Sequence, residues 1–202
     1  MKKIIFILAL NAIFFIVNGQ STIPGGYTKG YILTKTDTVH CYVLSTNHFY
    51  NCTSVNYKLS KEDKRQTMYI DDIVEIYDNS DFYRKITYNT KSLLVIRRIK
   101  GPVCLYELNN SYEANRDFSS NGRTVVSGGT YMVENSTFYL EKGDILVRID
   151  KRSFKEDVKK VLSDDPGTLK KIDDSMKKYK DVSVYIESFV NNYNTWLGSQ
   201  KK

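Results

Sequence analysis

Four consecutive large apolar residues, Leu93-Leu94-Val95-Ile96, constrain this chain more than any other stretch. They lie in the segment from Ser92 to Ile99, which runs through Lys100-Gly101-Pro102 into Val103 to Leu108, so the whole reads as one β-hairpin with a tight turn. Successive strand residues point to opposite faces, and an unbroken apolar run therefore needs cover on both sides of its sheet. The later segments with a helical apolar stripe lie beyond Phe154. The expected architecture is a sheet centred on this hairpin with C-terminal helices as its lid, and Phe189 packed against Leu94, Ile96 or their neighbours.

From Tyr27 to Ile149 the apolar and β-branched residues come in short bursts: 30–34, 38–44, 49–57, 67–70, 82–88, the hairpin, 123–127, 137–141 and 145–149. Turn candidates separate them, namely Lys35-Thr36-Asp37, Asn89-Thr90, Gly128-Gly129 and Lys142-Gly143. Strands at this spacing predict an antiparallel meander of about 8–10 short strands, bent into a sandwich or partial barrel. Two polar intervals, Lys58 to Gln66 and Asn109 to Gly122, read as exposed loops. The 16 tyrosines fall mostly in or beside the strands, where aromatic rings pack well on a pleated surface; packing is favoured over an aromatic binding platform.

After Ile149 the apolar period changes from two to 3.6. Ser153 with Glu156 has the spacing of a capping box, and Phe154, Val158, Val161 and Leu162 share one face of a helix that should stop near Ser163. Pro166 suits the first turn of a second helix with the stripe Leu169, Ile172, Met176 and Tyr179. Asp181 is placed to cap a third, whose stripe from Val182 through Phe189 and Tyr193 to Leu197 is the widest. The fold class is α+β, with residues 27–149 as the β-rich part, 150–197 as a helical part packed on it in one domain, and 198–202 as a tail.

The first residues carry a different signal. Lys2 and Lys3 precede an apolar run from Ile4 to Val17, broken by Asn11, and then Asn18-Gly19-Gln20. The run is shorter than the roughly 20 residues that a spanning helix needs, so residues 1–19 read as a signal peptide cleaved after Gly19, with 20–26 a flexible lead-in. An uncleaved anchor is the alternative. Export to the periplasm, to the outer-membrane surface or to the medium is expected, with no transmembrane segment after cleavage. Removing Lys2 and Lys3 takes the net charge from +7 to +5. Basic and acidic residues are mixed along the chain rather than blocked, so the mild positive charge reads first as a solubility feature, with no specific nucleic-acid binding expected; an envelope protein or an anionic polymer are the partners compatible with it.

Several short patterns form a familiar order. Gly30-Tyr31-Ile32-Leu33-Thr34 with Asp37-Thr38-Val39, then Tyr69-Ile70-Asp71-Asp72-Ile73, then Leu94 to Tyr106, and finally Phe154-Lys-Glu-Asp-Val, Leu162-Ser-Asp-Asp and Tyr193-Asn194 resemble a family of uncharacterised exported proteins of Gram-negative bacteria. That resemblance covers most of the mature chain. It implies export and supplies no catalytic residue. His40-Cys41 stands where members typically carry a glycine.

The residues with ligand or nucleophile chemistry are few. His40, Cys41, His48 and Cys52 cluster, but His40 and Cys41 are adjacent strand residues on opposite faces and the spacing matches no zinc knuckle, so no metal or other cofactor is expected. A tight turn over Ser45 to His48 would place Cys41 across from Cys52, a candidate disulfide in an oxidising compartment, with two free thiols as the alternative and Cys104 buried and reduced. Neither histidine has a nucleophile signature to serve, and Ser127-Gly128-Gly129 lacks the lysine of a phosphate loop. The acid pairs Asp71-Asp72, Asp164-Asp165 and Asp173-Asp174 read as caps or solvated faces. Asn51, Asn109 and Asn135 begin glycosylation sequons that matter where asparagine is glycosylated. No catalytic set is complete. A non-catalytic binding or interaction module of the envelope is favoured, and a hydrolase acting on an envelope polymer through paired carboxylates is the alternative.

Overall fold

The computed structural model describes residues 26–44, 52–109, 112–118, 126–133, 136–150, 152–175 and 182–200, with backbone alone for 112–118, 126–133, 175 and 182–184. Its first strands are β1 (Tyr27–Thr34), β2 (Thr38–Leu44), β3 (Ser54–Lys58), β4 (Gln66–Tyr69), β5 (Ile73–Tyr77) and β6 (Phe82–Tyr88). The hairpin follows as β7 (Lys91–Ile99) and β8 (Cys104–Asn109), then β9 (Tyr112–Phe118), β10 (Val126–Val133), β11 (Ser136–Lys142) and β12 (Ile145–Ile149). Three helices close the chain: α1 (Phe154–Leu162), α2 (Pro166–Ser175) and α3 (Val182–Ser199). Ten strands form one antiparallel sheet in the order β12-β11-β8-β7-β6-β5-β1-β2-β3-β4, and β9 pairs with β10 alone. The α+β architecture expected from the sequence is the one observed.

Apolar residues explain the two ends of this sheet separately. Over β8, β11 and β12, Val103, Leu105, Phe138, Leu140 and Ile149 pack against Phe154, Val158 and Leu162 of α1, Ile172 of α2 and Ile186, Phe189 and Tyr193 of α3. At about 1.5–3 kcal/mol for each fully buried large side chain, this cluster anchors the helices. Farther along the same face, Ile32, Val43, Val55, Ile73, Ile76, Tyr83 and Leu94 form a second cluster, with Ile96 packed against it. There the sheet curls. The 3-10 turn Ile70–Asp72 at the end of β4 reaches back to β7, where the Ser92 hydroxyl donates to Asp71 Oδ1 at 2.7 Å, and to β6, where Lys85 Nζ donates to the Asp71 carbonyl at 2.7 Å. The result is a partial barrel with a seam between β4 and β7.

This arrangement corrects the expected position of the lid. The run Leu93 to Ile96 is covered on both faces, with Leu94 and Ile96 in the curled-strand cluster and Val95 and Leu93 in a third cluster on the opposite face. Phe189 is buried, but among Phe154, Leu105 and their neighbours rather than on Leu94 or Ile96. The reason is that the curled strands already fill the space over Leu94, so the helices reach β7 only toward its end, at Ile99. There Asn194 of α3 holds the hairpin turn: its Oδ1 accepts from the Val103 amide and its Nδ2 donates to the Val103 carbonyl, both at 2.9 Å. A Cβ on Gly101 would lie 2.5 Å from the Asn194 amide, so a side chain there would push Asn194 off the turn.

Local differences have similar causes. β5 falls in a stretch not read as a strand, and β9 occupies the expected loop from Asn109 to Gly122. Gly128-Gly129 marks a bulge inside β10 rather than a turn. Asn109 pairs with Ser136 and Tyr112 with Val133, leaving two residues between them on each strand, so β9 and β10 continue the β8–β11 pairing in the same register. The interval 59–65 is the exposed connection expected. The capping box does not form: the Ser153 hydroxyl donates to Asp157 Oδ2 at 2.7 Å instead of capping the helix. Asp165 caps α2, accepting from the Gly167 amide at 2.9 Å and from the Thr168 hydroxyl. Met176, Tyr179 and the expected cap Asp181 lie outside the described residues.

Candidate functional site

Strand alternation sorts side chains by chemistry across the sheet. The face under the helices is mostly aliphatic, with Tyr83 and Phe138 among its buried residues, whereas the opposite face carries Tyr27, Tyr31, Tyr42, Tyr77, Phe82, Tyr88, Tyr106 and Tyr139. The pairing register aligns His40, Tyr31, Tyr77, Phe82, Arg97, Tyr106, Tyr139 and Arg148 in one row across eight strands. The first half of that row is at the surface. His40 and Tyr31 have ring centroids 6.4 Å apart, Tyr31 and Tyr77 5.8 Å, and Tyr77 stacks on Phe82 at 4.6 Å, with the Arg97 guanidinium 4.9 Å from the Phe82 ring. Such pairs favour each other by about 0.5–1.5 kcal/mol beyond burial.

A buried carboxylate beneath the row fixes it. Glu75 accepts from Arg97 and, at 3.1 Å, from the Tyr31 hydroxyl. Burial and then the Glu75 carboxylate push the Tyr31 phenol above its ordinary value, so the hydroxyl stays a donor. Farther along, burial and the hydrogen bond to Glu141 raise the Tyr106 phenol as well. Glu75 and Glu141, the acids on this face among the described residues, are thus engaged by their neighbours. Lys29, Arg84 and Arg148 are not: among the described residues they have no carboxylate partner. The face is therefore aromatic with an excess of positive charge.

The second feature is a cleft of about 440 Å³ at the barrel seam. Tyr69 and the 3-10 turn with Ile70 and Asp71 form one wall, and Thr90, Lys91, Ser92 and Leu93 form the other, with Cys52 and Thr53 at the base. The floor at Ile70 is buried, while the Tyr69 ring is 67% exposed.

The residues singled out in the sequence fall in different places. Cys41, Cys52 and Cys104 are free thiols, and the expected Cys41–Cys52 bridge is absent. The β2–β3 pairing sets Tyr42 opposite Lys58 and Val43 opposite Tyr57, a register that runs Cys41 toward Leu59 rather than Cys52. Both thiols border the curled-strand core, where burial pushes Cys41 up to about 11 and raises Cys52 as well, which keeps both protonated and weakly nucleophilic. His40 points to the aromatic face and Cys41 to the core; His48 lies outside the described residues.

The acid pairs separate. Asp164 pairs with Lys142 at 2.7 Å and accepts from the Tyr193 hydroxyl at 2.8 Å, and Asp173 pairs with Lys159 at 2.7 Å. Among the described residues Asp71 is the one acid lining the cleft, and no carboxylate pair lies there. No described helix is long and apolar enough to cross a membrane. The aromatic row was missed in the sequence because each strand contributes one residue to it, and no spacing along the chain marks those residues as neighbours. No family model, curated protein or solved structure matches the chain.

Proposed function

We propose that the protein is an exported, non-catalytic binding module of the cell envelope whose ligand is an anionic polymer held on the aromatic face. The observation that carries this reading is the charge pattern of that face: Glu75 and Glu141 are engaged internally, whereas Lys29, Arg84 and Arg148 project from the same side without acid partners among the described residues. Stacked rings fix the platform, so little side-chain freedom is lost when a polymer lies across it. The basic, apolar start of the chain and the resemblance to exported proteins support the placement in the envelope.

The test is affinity electrophoresis of the chain from Gln20 onward through gels containing a uronic-acid polysaccharide or neutral dextran. Retardation by the acidic polymer alone, weakening with salt, is expected. The combined Lys29→Ala, Arg84→Ala and Arg148→Ala variant should lose most of it. Equal retardation by both polymers, or none by either, overturns the reading.

A further inference from the structure

The seam cleft contains a strained turn. β6 and β7 are joined by Asn89 at φ 48° and Thr90 at φ 66°, the left-handed pair of a two-residue hairpin turn. Asparagine tolerates that conformation and glycine is the usual second residue, but a β-branched residue there is a true outlier. Strain of this kind persists where surrounding structure holds it, and it clusters at ligand sites. Thr90 lines the cleft.

Beside Thr90 the two walls carry opposite charges. Asp71 is held from two directions, its Oδ1 accepting from Ser92 and its carbonyl from Lys85, which leaves Oδ2 without a partner among the described residues. Lys91 is exposed and likewise has no partner among the described residues. Ile70 and Leu93 add apolar surface between them, and the exposed Tyr69 ring stands at the rim. A volume of about 440 Å³ lies within the range of small-molecule sites, roughly 300–1,000 Å³.

We infer that this cleft binds a small zwitterion, a molecule with one ammonium group for Asp71, one carboxylate for Lys91 and an apolar portion against Ile70 and Leu93. The site is separate from the polymer-binding face proposed above and does not depend on it. The Thr90 hydroxyl donates to the Asn89 carbonyl at 2.6 Å, and glycine at position 90 would relieve the turn and take that side chain out of the cleft lining.

Isothermal titration of the full chain with L-leucine, N-acetyl-L-leucine, L-leucinamide and L-leucyl-L-leucine tests the assignment. L-Leucine or the dipeptide should bind, and the preference between them reports the separation of the two charges. Blocking either charged end should weaken binding about tenfold, a difference of about 1.4 kcal/mol. Asp71→Asn keeps the acceptor for Ser92 and should abolish discrimination against the N-acetyl compound; Lys91→Met should abolish discrimination against the amide. Thr90→Gly should raise the melting temperature while weakening binding. Absence of heat from both zwitterions, or binding indifferent to both blocked ends, overturns the proposal, as does discrimination that survives in both variants.

Discussion

The two faces of the ten-stranded sheet are made by the same strands and hold together by different physics. On the helix-covered face, Leu105, Leu140 and Phe138 bury against Phe154, Ile186 and Phe189, and stability comes from apolar area removed from water. On the other face, Tyr31, Tyr77, Phe82 and Arg97 stay partly exposed and hold one another through ring contacts and the buried Glu75. Under the helices no chemistry is left for a partner, because the side chains there are consumed by packing. The row from Tyr31 to Phe82 on the other face is stiff without being covered, which is the condition a binding surface needs, whereas Val95, Tyr106 and Tyr139 farther along that face are buried.

The largest expected difference between the faces comes from truncating one ring on each. Phe189→Ala should lower unfolding free energy by about 3–5 kcal/mol, transfer energy plus cavity. Tyr77→Ala, which leaves no enclosed cavity, should cost about 1.5 kcal/mol, close to the value of its ring contacts. Urea denaturation of both variants checks this, and equal losses would mean that the aromatic face is also a closed core.

The ion pair beneath the row is the next test. Glu75→Gln should cost about 2–3 kcal/mol, because Arg97 and Tyr31 lose a charged acceptor in a half-buried place. Adding Arg97→Met should recover much of that loss if desolvation of the unpaired guanidinium is its source. A double variant as unstable as the single one would show that the row is fixed by ring packing alone.

Asn194→Ala addresses the junction between helix α3 and the central hairpin. It leaves the Val103 amide and carbonyl without their side-chain partner and should cost about 1–3 kcal/mol, with faster hydrogen exchange at Val103. Unchanged exchange would show that α3 is held by its apolar stripe alone.

The smallest effect concerns acid. For Asp157 burial raises the carboxyl, but the Ser153 hydroxyl, the Asp150 amide and Lys160 outweigh it; for Asp164 burial is likewise outweighed, by Lys142 and Tyr193. Both carboxyls therefore lie below their ordinary value. Their contribution is complete above the unfolded value near pH 4 and is lost as pH falls through the lowered folded value. Thermal melting followed from pH 6 to pH 2 should show the helical part weakening only below about pH 4. In Asp157→Asn with Asp164→Asn, the acid-dependent part of that slope should shrink.

How far the chain could be read in advance follows from how local each cause is. The strands 38–44, 82–88 and 145–149 and the hairpin were legible because alternation and turn residues act within a few positions, as was α1 from its apolar spacing. The Ser153-Glu156 pattern misled, since Asp157 competes for the same hydroxyl. β9 was unreadable in a polar stretch because its support is a partner strand, β10, continuing the β8–β11 register. Cys41 and Cys52 stand unpaired in the structure for the complementary reason: β2 and β3 pair in a register that sets Tyr42 opposite Lys58, not in the one that a tight turn over Ser45 to His48 would give.

By itself the sequence determined that Leu93 to Ile96 must be covered on both faces, that a β-rich part precedes three helices, and that Asp165-Pro166 starts the second of them. Tertiary structure decided which element covers which residue. Curling brought Asp71 to Ser92 and opened the seam cleft, and pairing across eight strands set Tyr31, Tyr77, Phe82 and Arg97 side by side. The physical reason is that alternation fixes the face on which a side chain lies, while register and sheet curvature, which depend on every strand at once, fix its neighbours.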